Sequence, residues 1–143
     1  GSVHGENIHI ETKYGKVPAV QGDPYTLQEV LFNLCANALA AMPDGGTLTL
    51  RTVVVARPSE GDPGTVAVEV SDTGKGIPDE LQDKIFEPFF TTRGESGGTG
   101  LGLVLSRMMI SEMGGRLQLE SAPGQGTTFS VILKAATDEP ETT

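Results

Sequence analysis

The sequence carries one cysteine, no tryptophan, and only five phenylalanines and two tyrosines among 143 residues. Cys35 alone cannot close an internal disulfide, so stability must come from a packed core, and the usage fits a reducing, cytoplasmic location. Basic residues are scarce: ten Lys and Arg against nineteen Asp and Glu give a formal net charge of −9. That balance argues against nucleic acid as a partner, because such binding needs a basic footprint. No uninterrupted run of about 18 apolar residues occurs, so no span or contact with a membrane is expected, and no signal-peptide pattern opens the chain. What is present is a 37% hydrophobic content arranged in periodic runs, enough for one domain with its own core. Glycine is in surplus: nineteen residues, about twice the usual share, without a collagen period or a low-complexity run.

Gly1-Ser2 reads as a cloning remnant, and residues 1–7 as an extension ahead of a domain over residues 8–136. Ile8, Ile10 and Thr12 alternate with His9 and Glu11, which predicts a short half-buried strand, and Pro18 to Gln21 a second one. Asp23-Pro24 places an N-cap before a proline at the first helical position. Leu27, Leu31, Leu34, Cys35, Ala38 and Met42 then recur at three- and four-residue steps, so a helix is expected over about 24–42. Thr47 to Ala56 and Thr65 to Ser71 are rich in β-branched residues and read as an antiparallel hairpin. A short helix near 79–84, a longer one over about 100–113 and two strands over about 116–122 and 127–134 complete the pattern. Residues 137–143 are acidic and read as a disordered tail. The order predicts an α+β fold: a mixed sheet with helices on one face.

Three constellations carry chemistry. Asn33 and Asn37, four apart on a helix, share one face at roughly 6 Å. Asparagine costs a helix interior several tenths of a kcal/mol against alanine, so two on one face call for a use. A carboxamide oxygen can ligate a hard cation, and its NH2 can donate to phosphate; two solvated asparagines are the plainer account. Asp72-Thr-Gly74-Lys-Gly76-Ile77-Pro78 follows a strand, offering a carboxylate acceptor suited to an exocyclic amine and two glycines that allow tight turns. An ordinary Asp-initiated turn is the alternative there. Gly97-Gly-Thr99-Gly-Leu101-Gly102-Leu103 opens an apolar helix, where bare N–H groups and the helix N-terminus favour a polyphosphate. Neither the dinucleotide fingerprint nor the Walker pattern fits: Leu103 stands where a glycine is needed, and Gly76 follows Gly74-Lys75. Between these motifs, Phe86-Glu-Pro-Phe89-Phe90-Thr-Thr92-Arg93 gathers three of the few aromatics, which reads as a hydrophobic anchor, with Arg93 a phosphate partner or the mate of a surface acid.

Taken in this order, the blocks resemble the ATP-binding catalytic domain of bacterial sensor histidine kinases, in the superfamily shared with gyrase, mismatch-repair ATPases and a heat-shock chaperone. Asn33–Asn37 is similar to its N box, Asp72–Gly76 to its G1 box, Phe86–Phe90 to its F box, and Gly98–Leu103 to its G2 box. Gly124-Gln-Gly126-Thr127-Thr-Phe129 is similar to its closing glycine–threonine element. The resemblance implies the Bergerat fold, a two-layer α/β sandwich whose mixed sheet is mainly antiparallel. It implies Asn37 as Mg²⁺ ligand, with Asn33 assisting at metal and phosphates. Asp72 would take the adenine amine, Gly74, Gly76 and Ile77 would complete that pocket, and Thr127 would contact the base directly or through water. Gly98, Thr99, Gly100, Leu101, Gly102 and Leu103 would form the hinge of a lid over the phosphates. That lid would run from about Thr91 to Gly98, with Thr92 and Arg93 on the nucleotide.

Hydrolysing relatives have a glutamate where this chain has Asn33; an amide cannot act as that base, so the resemblance implies phosphoryl transfer from ATP rather than hydrolysis. Ala40-Ala-Met-Pro-Asp-Gly-Gly46 resembles the nitrogen-regulation type of sensor kinase. His4 and His9 lie outside any helical heptad, so the phosphoacceptor histidine is expected on a separate dimerisation domain, with a response regulator downstream and this chain a monomeric fragment. An anti-sigma type serine kinase and a nucleotide-sensing module without transfer are the alternative readings.

Overall fold

The computed structural model describes residues 7–87 and 102–136. Its elements, in chain order, are strand β1 (Ile8–Tyr14), helix α1 (Pro24–Ala40), strands β2 (Gly46–Ala56) and β3 (Thr65–Asp72), the short helix α2 (Asp79–Gln82) with a 3-10 turn at Lys84–Phe86, helix α3 (Gly102–Glu112), and strands β4 (Arg116–Ser121) and β5 (Thr127–Lys134). The five strands form one sheet in the order β1-β2-β3-β5-β4. Among the described residues only β1 and β2 run parallel; the other pairs are antiparallel. Helices α1 and α3 pack on each other and on the sheet. The arrangement is the α+β, mainly antiparallel sandwich that the sequence predicts.

Register sorts the side chains by face, because successive residues of a strand point to opposite sides. Leu50, Val70, Phe129 and Leu119 form one row across β2, β3, β5 and β4, and Thr52, Val68, Val131 and Leu117 form the next. Against these rows lie Val30, Leu34 and Ala38 of α1, Met42 beyond its end, and Ile110 of α3. Each side chain of Leu or Ile size that is fully buried there contributes about 1.5–3 kcal/mol. The opposite face carries Arg51, Glu69, Ser130 and Gln118 in one row, with the Arg51 guanidinium 2.9 Å from the Glu69 carboxylate.

α1 starts as expected: the Asp23 carboxylate accepts from the Thr26 N–H at 3.1 Å and from its hydroxyl at 2.7 Å. It ends at Ala40, two residues early, where the chain turns toward Pro43. The strand expected over Pro18–Gln21 is reduced to a single bridge from Val20 to Ala135, because the segment only brushes the end of β5. β1 forms, but Ile10 is 59% exposed rather than half-buried, since an edge strand has a neighbour on one side only. No helix among the described residues is long and apolar enough to cross a membrane. The expectations for the N-terminal remnant, Phe89, Phe90, the lid and the acidic tail lie outside the described residues.

Candidate functional site

The inner face of the sheet is mainly apolar, and its most polar row lies at one end. There the register places Leu48, Asp72, Thr127 and Ser121 in a row across four strands. Asp72 and Thr127 are 8% and 5% exposed, and apart from Ser106 they are the buried polar residues among those described. A carboxylate buried beside a hydrophobic core is costly unless it is bonded. Here the Gly74 N–H donates to Asp72 Oδ1 at 2.8 Å, and the Thr127 backbone beside it also favours the ionised form. Burial nevertheless dominates and raises the Asp72 carboxyl from its ordinary value, while the Gly74 and Thr127 backbone groups pull it down.

The loop after Asp72 is pressed between two backbones. A Cβ at Gly74 would overlap the Ala41 carbonyl, and one at Gly76 (φ +75°) would overlap the Ala122 carbonyl. The Lys75 N–H reaches the Ala41 carbonyl at 3.3 Å, and the Gly124 N–H donates to the Lys75 carbonyl at 2.7 Å. Glycine at 74 and 76 is thus required by close approach of the protein to itself. Thr73 fixes the other flank: its hydroxyl accepts from the Thr47 N–H at 3.0 Å and points at Met42 Sδ at 3.7 Å.

Ala41 links this loop to the two asparagines. Asn33, Asn37 and Ala41 follow one another at four-residue steps, so the stripe of α1 carrying both asparagines continues through its C-cap Ala41 to the Gly74–Lys75 backbone. Both asparagines are half-buried at the border of the core. No group of three His, Cys, Asp or Glu side chains gathers among the described residues, so a metal here would rest on carboxamide oxygens together with oxygens of a ligand. A cation that keeps much of its hydration and binds phosphate, such as Mg²⁺, fits that donor set.

Asp72, Gly74, Gly76, Ile77 and Thr127 are therefore brought together, with the Asn33–Asn37 stripe adjoining them. Gly102 opens α3 in an exposed position, and Leu103 packs against the core. Thr92, Arg93, Gly98, Thr99, Gly100 and Leu101 lie outside the described residues. Phe86 anchors as expected, packed against the core with the Arg107 guanidinium 4.9 Å from its ring centre.

Two residues of the site were not anticipated from sequence. Ser121 Oγ accepts from the Ile77 N–H at 2.8 Å and lies 2.8 Å from Thr127 Oγ1. Gln82 Nε2 donates to the carbonyls of Ile77 at 2.9 Å and Ser121 at 3.0 Å. Counting back around the Ala122–Gly126 turn does place Ser121 opposite Thr127, but only once the hairpin register is known.

The family model described as histidine kinase-, DNA gyrase B-, and HSP90-like ATPase matches residues 22–137. Among curated relatives, the sensor kinase CckA of Brucella abortus is 38% identical over 94% of this chain and 15% of its own length. The sensory histidine kinase/phosphatase NtrB of Salmonella typhimurium is 38% identical over 90% of this chain and 37% of its own length. The chain thus spans well under half of either relative. Among solved structures, the catalytic domain of histidine kinase ThkA aligns with a TM-score of 0.74 and 31% identity, covering 92% of this chain and 82% of that one. The full-length ShkA structure in complex with AMPPNP aligns with a TM-score of 0.77 and 28% identity, covering 94% of this chain and 27% of that one. The relatives are sensor histidine kinases, and this chain belongs to the histidine kinase-, DNA gyrase B-, and HSP90-like ATPase family.

Proposed function

We propose that the chain binds ATP with Mg²⁺ and donates the γ-phosphoryl group to a histidine on a separate dimerisation domain, with a response regulator receiving it downstream. The observation that carries the reading is the Asp72–Thr127 pair, a buried carboxylate and hydroxyl at one end of a mainly apolar face. A flat heterocycle bearing an amine suits that combination: apolar walls for the ring, and an acceptor for the N–H. Gly76 and Ile77, held against Ala122 and Ser121, form the rim.

The triphosphate then extends toward the Asn33–Asn37 stripe and the start of α3. Asn37, with Asn33 beside it, would hold the metal, which neutralises charge on the phosphates when bound. In the transfer, the bond from Pγ to the β,γ-bridging oxygen breaks and a bond from Pγ to an imidazole nitrogen forms, leaving ADP. The chain's own part is positioning and charge compensation, the usual means of phosphoryl transfer. Asn33 carries an amide that cannot take a proton from water, which favours transfer over hydrolysis.

Isothermal titration with ATP and ADP in the presence of Mg²⁺ tests the reading. Saturable binding is expected; its absence at millimolar nucleotide overturns it. Adding a dimerisation domain of a related sensor kinase with labelled ATP should give an acid-labile phosphohistidine, whereas an acid-stable product would point to serine.

A further inference from the structure

One direction of the hydroxyl network around Thr127 satisfies every group in it. Ser121 Oγ has one proton and two lone pairs. One lone pair takes the Ile77 N–H at 2.8 Å. The proton has an acceptor in the Gly126 carbonyl at 3.0 Å, which cannot itself donate. The remaining contact, 2.8 Å to Thr127 Oγ1, then takes the Thr127 proton into the second lone pair of Ser121. All three bonds of Ser121 are satisfied in this arrangement. The reverse direction, Ser121 donating to Thr127, gives up the Gly126 contact.

The geometry around Ser121 is fixed by its neighbours. Gln82 bonds both the Ile77 and the Ser121 carbonyls, so the two backbones that set the Ser121 hydroxyl are tied together. With its proton drawn toward Ser121, Thr127 Oγ1 presents only lone pairs to the site. Its register partner Asp72 is also an acceptor when ionised, and directly opposed side chains on one sheet face lie about 4.5–5.5 Å apart at Cβ. Two acceptors side by side match a group with two N–H donors. They repel a carbonyl oxygen in the same place.

We propose that Ser121 is a positioning residue that holds Thr127 as an acceptor, so that Thr127 and Asp72 together select a purine carrying an exocyclic amine over one carrying a carbonyl there. This rests on the reading of the site as a nucleotide site. It adds a residue that touches no base and acts on base choice through another side chain. Removing the Ser121 hydroxyl frees the Thr127 proton to turn toward the ligand, where it can meet a carbonyl.

The test compares the affinities of ATP and inosine triphosphate, which differ at this position, with Mg²⁺ present. The chain as it stands should prefer ATP. In Ser121→Ala the preference should shrink by about three- to tenfold, the worth of one hydrogen bond made or lost. Thr127→Val should shrink it similarly, and the double variant should shrink it no further, because Ser121 acts only through Thr127. Ser121→Thr keeps the hydroxyl and should keep the preference. A purely structural Ser121 would weaken both nucleotides alike; an unchanged ratio in Ser121→Ala overturns the proposal while leaving the nucleotide site standing. Failure of the parent chain to bind either nucleotide overturns both. If Ser121→Ala does not fold, Ser121→Thr and Thr127→Val decide: an unchanged ratio in Thr127→Val, or a lost preference in Ser121→Thr, overturns it.

Discussion

Asp72 and Thr127 are the last register pair of the β3–β5 ladder, and both are buried on a mainly apolar face. A carboxylate in that place costs the fold something that an interior of the same shape without charge would not. The site is therefore expected to trade stability against binding.

Asp72→Asn shows the trade directly. The folded-state pKa is raised, chiefly by burial, so folding favours the protonated carboxyl. Below the ordinary aspartate value of 3.8 both states are protonated and the group costs nothing; as pH rises through the elevated value the ionised form penalises the fold. Asparagine can still accept from the Gly74 N–H. Asp72→Asn should thus melt higher than the parent at pH 7, with the difference shrinking toward pH 4 and below, while adenine nucleotide affinity is lost. Melting curves across pH with a nucleotide titration check both halves; a lower melting temperature at pH 7 would contradict the burial argument.

The glycines divide by what surrounds them. Gly76, Gly124 and Gly126 all have positive φ, between +75° and +83°. A side chain pays about 1–2 kcal/mol for that conformation alone. At Gly124 nothing else lies within 4 Å of a Cβ, whereas Gly76 meets the Ala122 carbonyl and Gly126 the Asp72 carbonyl. Gly124→Ala should cost about 1–2 kcal/mol, and Gly76→Ala and Gly126→Ala markedly more, read by denaturant unfolding. Equal losses at the three positions would show that backbone strain, not close approach, sets the requirement.

Local signals made much of this legible in the sequence. Asp23-Pro24 announces α1, runs rich in β-branched residues mark Thr47–Ala56 and Thr65–Ser71 as strands, and the Gly/Pro-rich joins mark the hairpins. Asp72 stands out because it sits in a glycine-rich motif at a strand end, whereas Thr127 is reached through the resemblance to the family's closing glycine–threonine element. What sequence could not supply was register. Ser121 is an ordinary strand residue until β4 and β5 are aligned, and Gly74 looks ligand-facing until Ala41 is seen against it. The Pro18–Gln21 segment and Ile10 were misjudged for the same reason: extended conformation is local, but a neighbour to pair with or pack against is not.

Ser106 offers a stability test away from the site. It lies one turn before Ile110 on the buried side of α3, 0% exposed, and its hydroxyl has no hydrogen-bond partner among the described residues. An unsatisfied buried hydroxyl costs about 1–3 kcal/mol. Alanine removes it, leaves only a small void, and is the better helix former. Ser106→Ala should stabilise the domain by about 1 kcal/mol in urea unfolding. A loss of stability would mean that the hydroxyl has a partner.

Asn37→Ala separates a metal role from a structural one. The side chain lies on the half-buried border of α1, and alanine improves helix propensity by up to about 0.7 kcal/mol. If the carboxamide serves only the fold, its removal should lower stability and leave the Mg²⁺ dependence of nucleotide binding unchanged. If it holds the metal, the variant should melt at or above the parent, yet the gain in ATP affinity on adding Mg²⁺ should collapse. Phosphoryl transfer to a supplied dimerisation domain should fall with it. Titrations with Mg²⁺ and with chelator, run beside a melting curve, distinguish the two, because stability and metal dependence are expected to move in opposite directions.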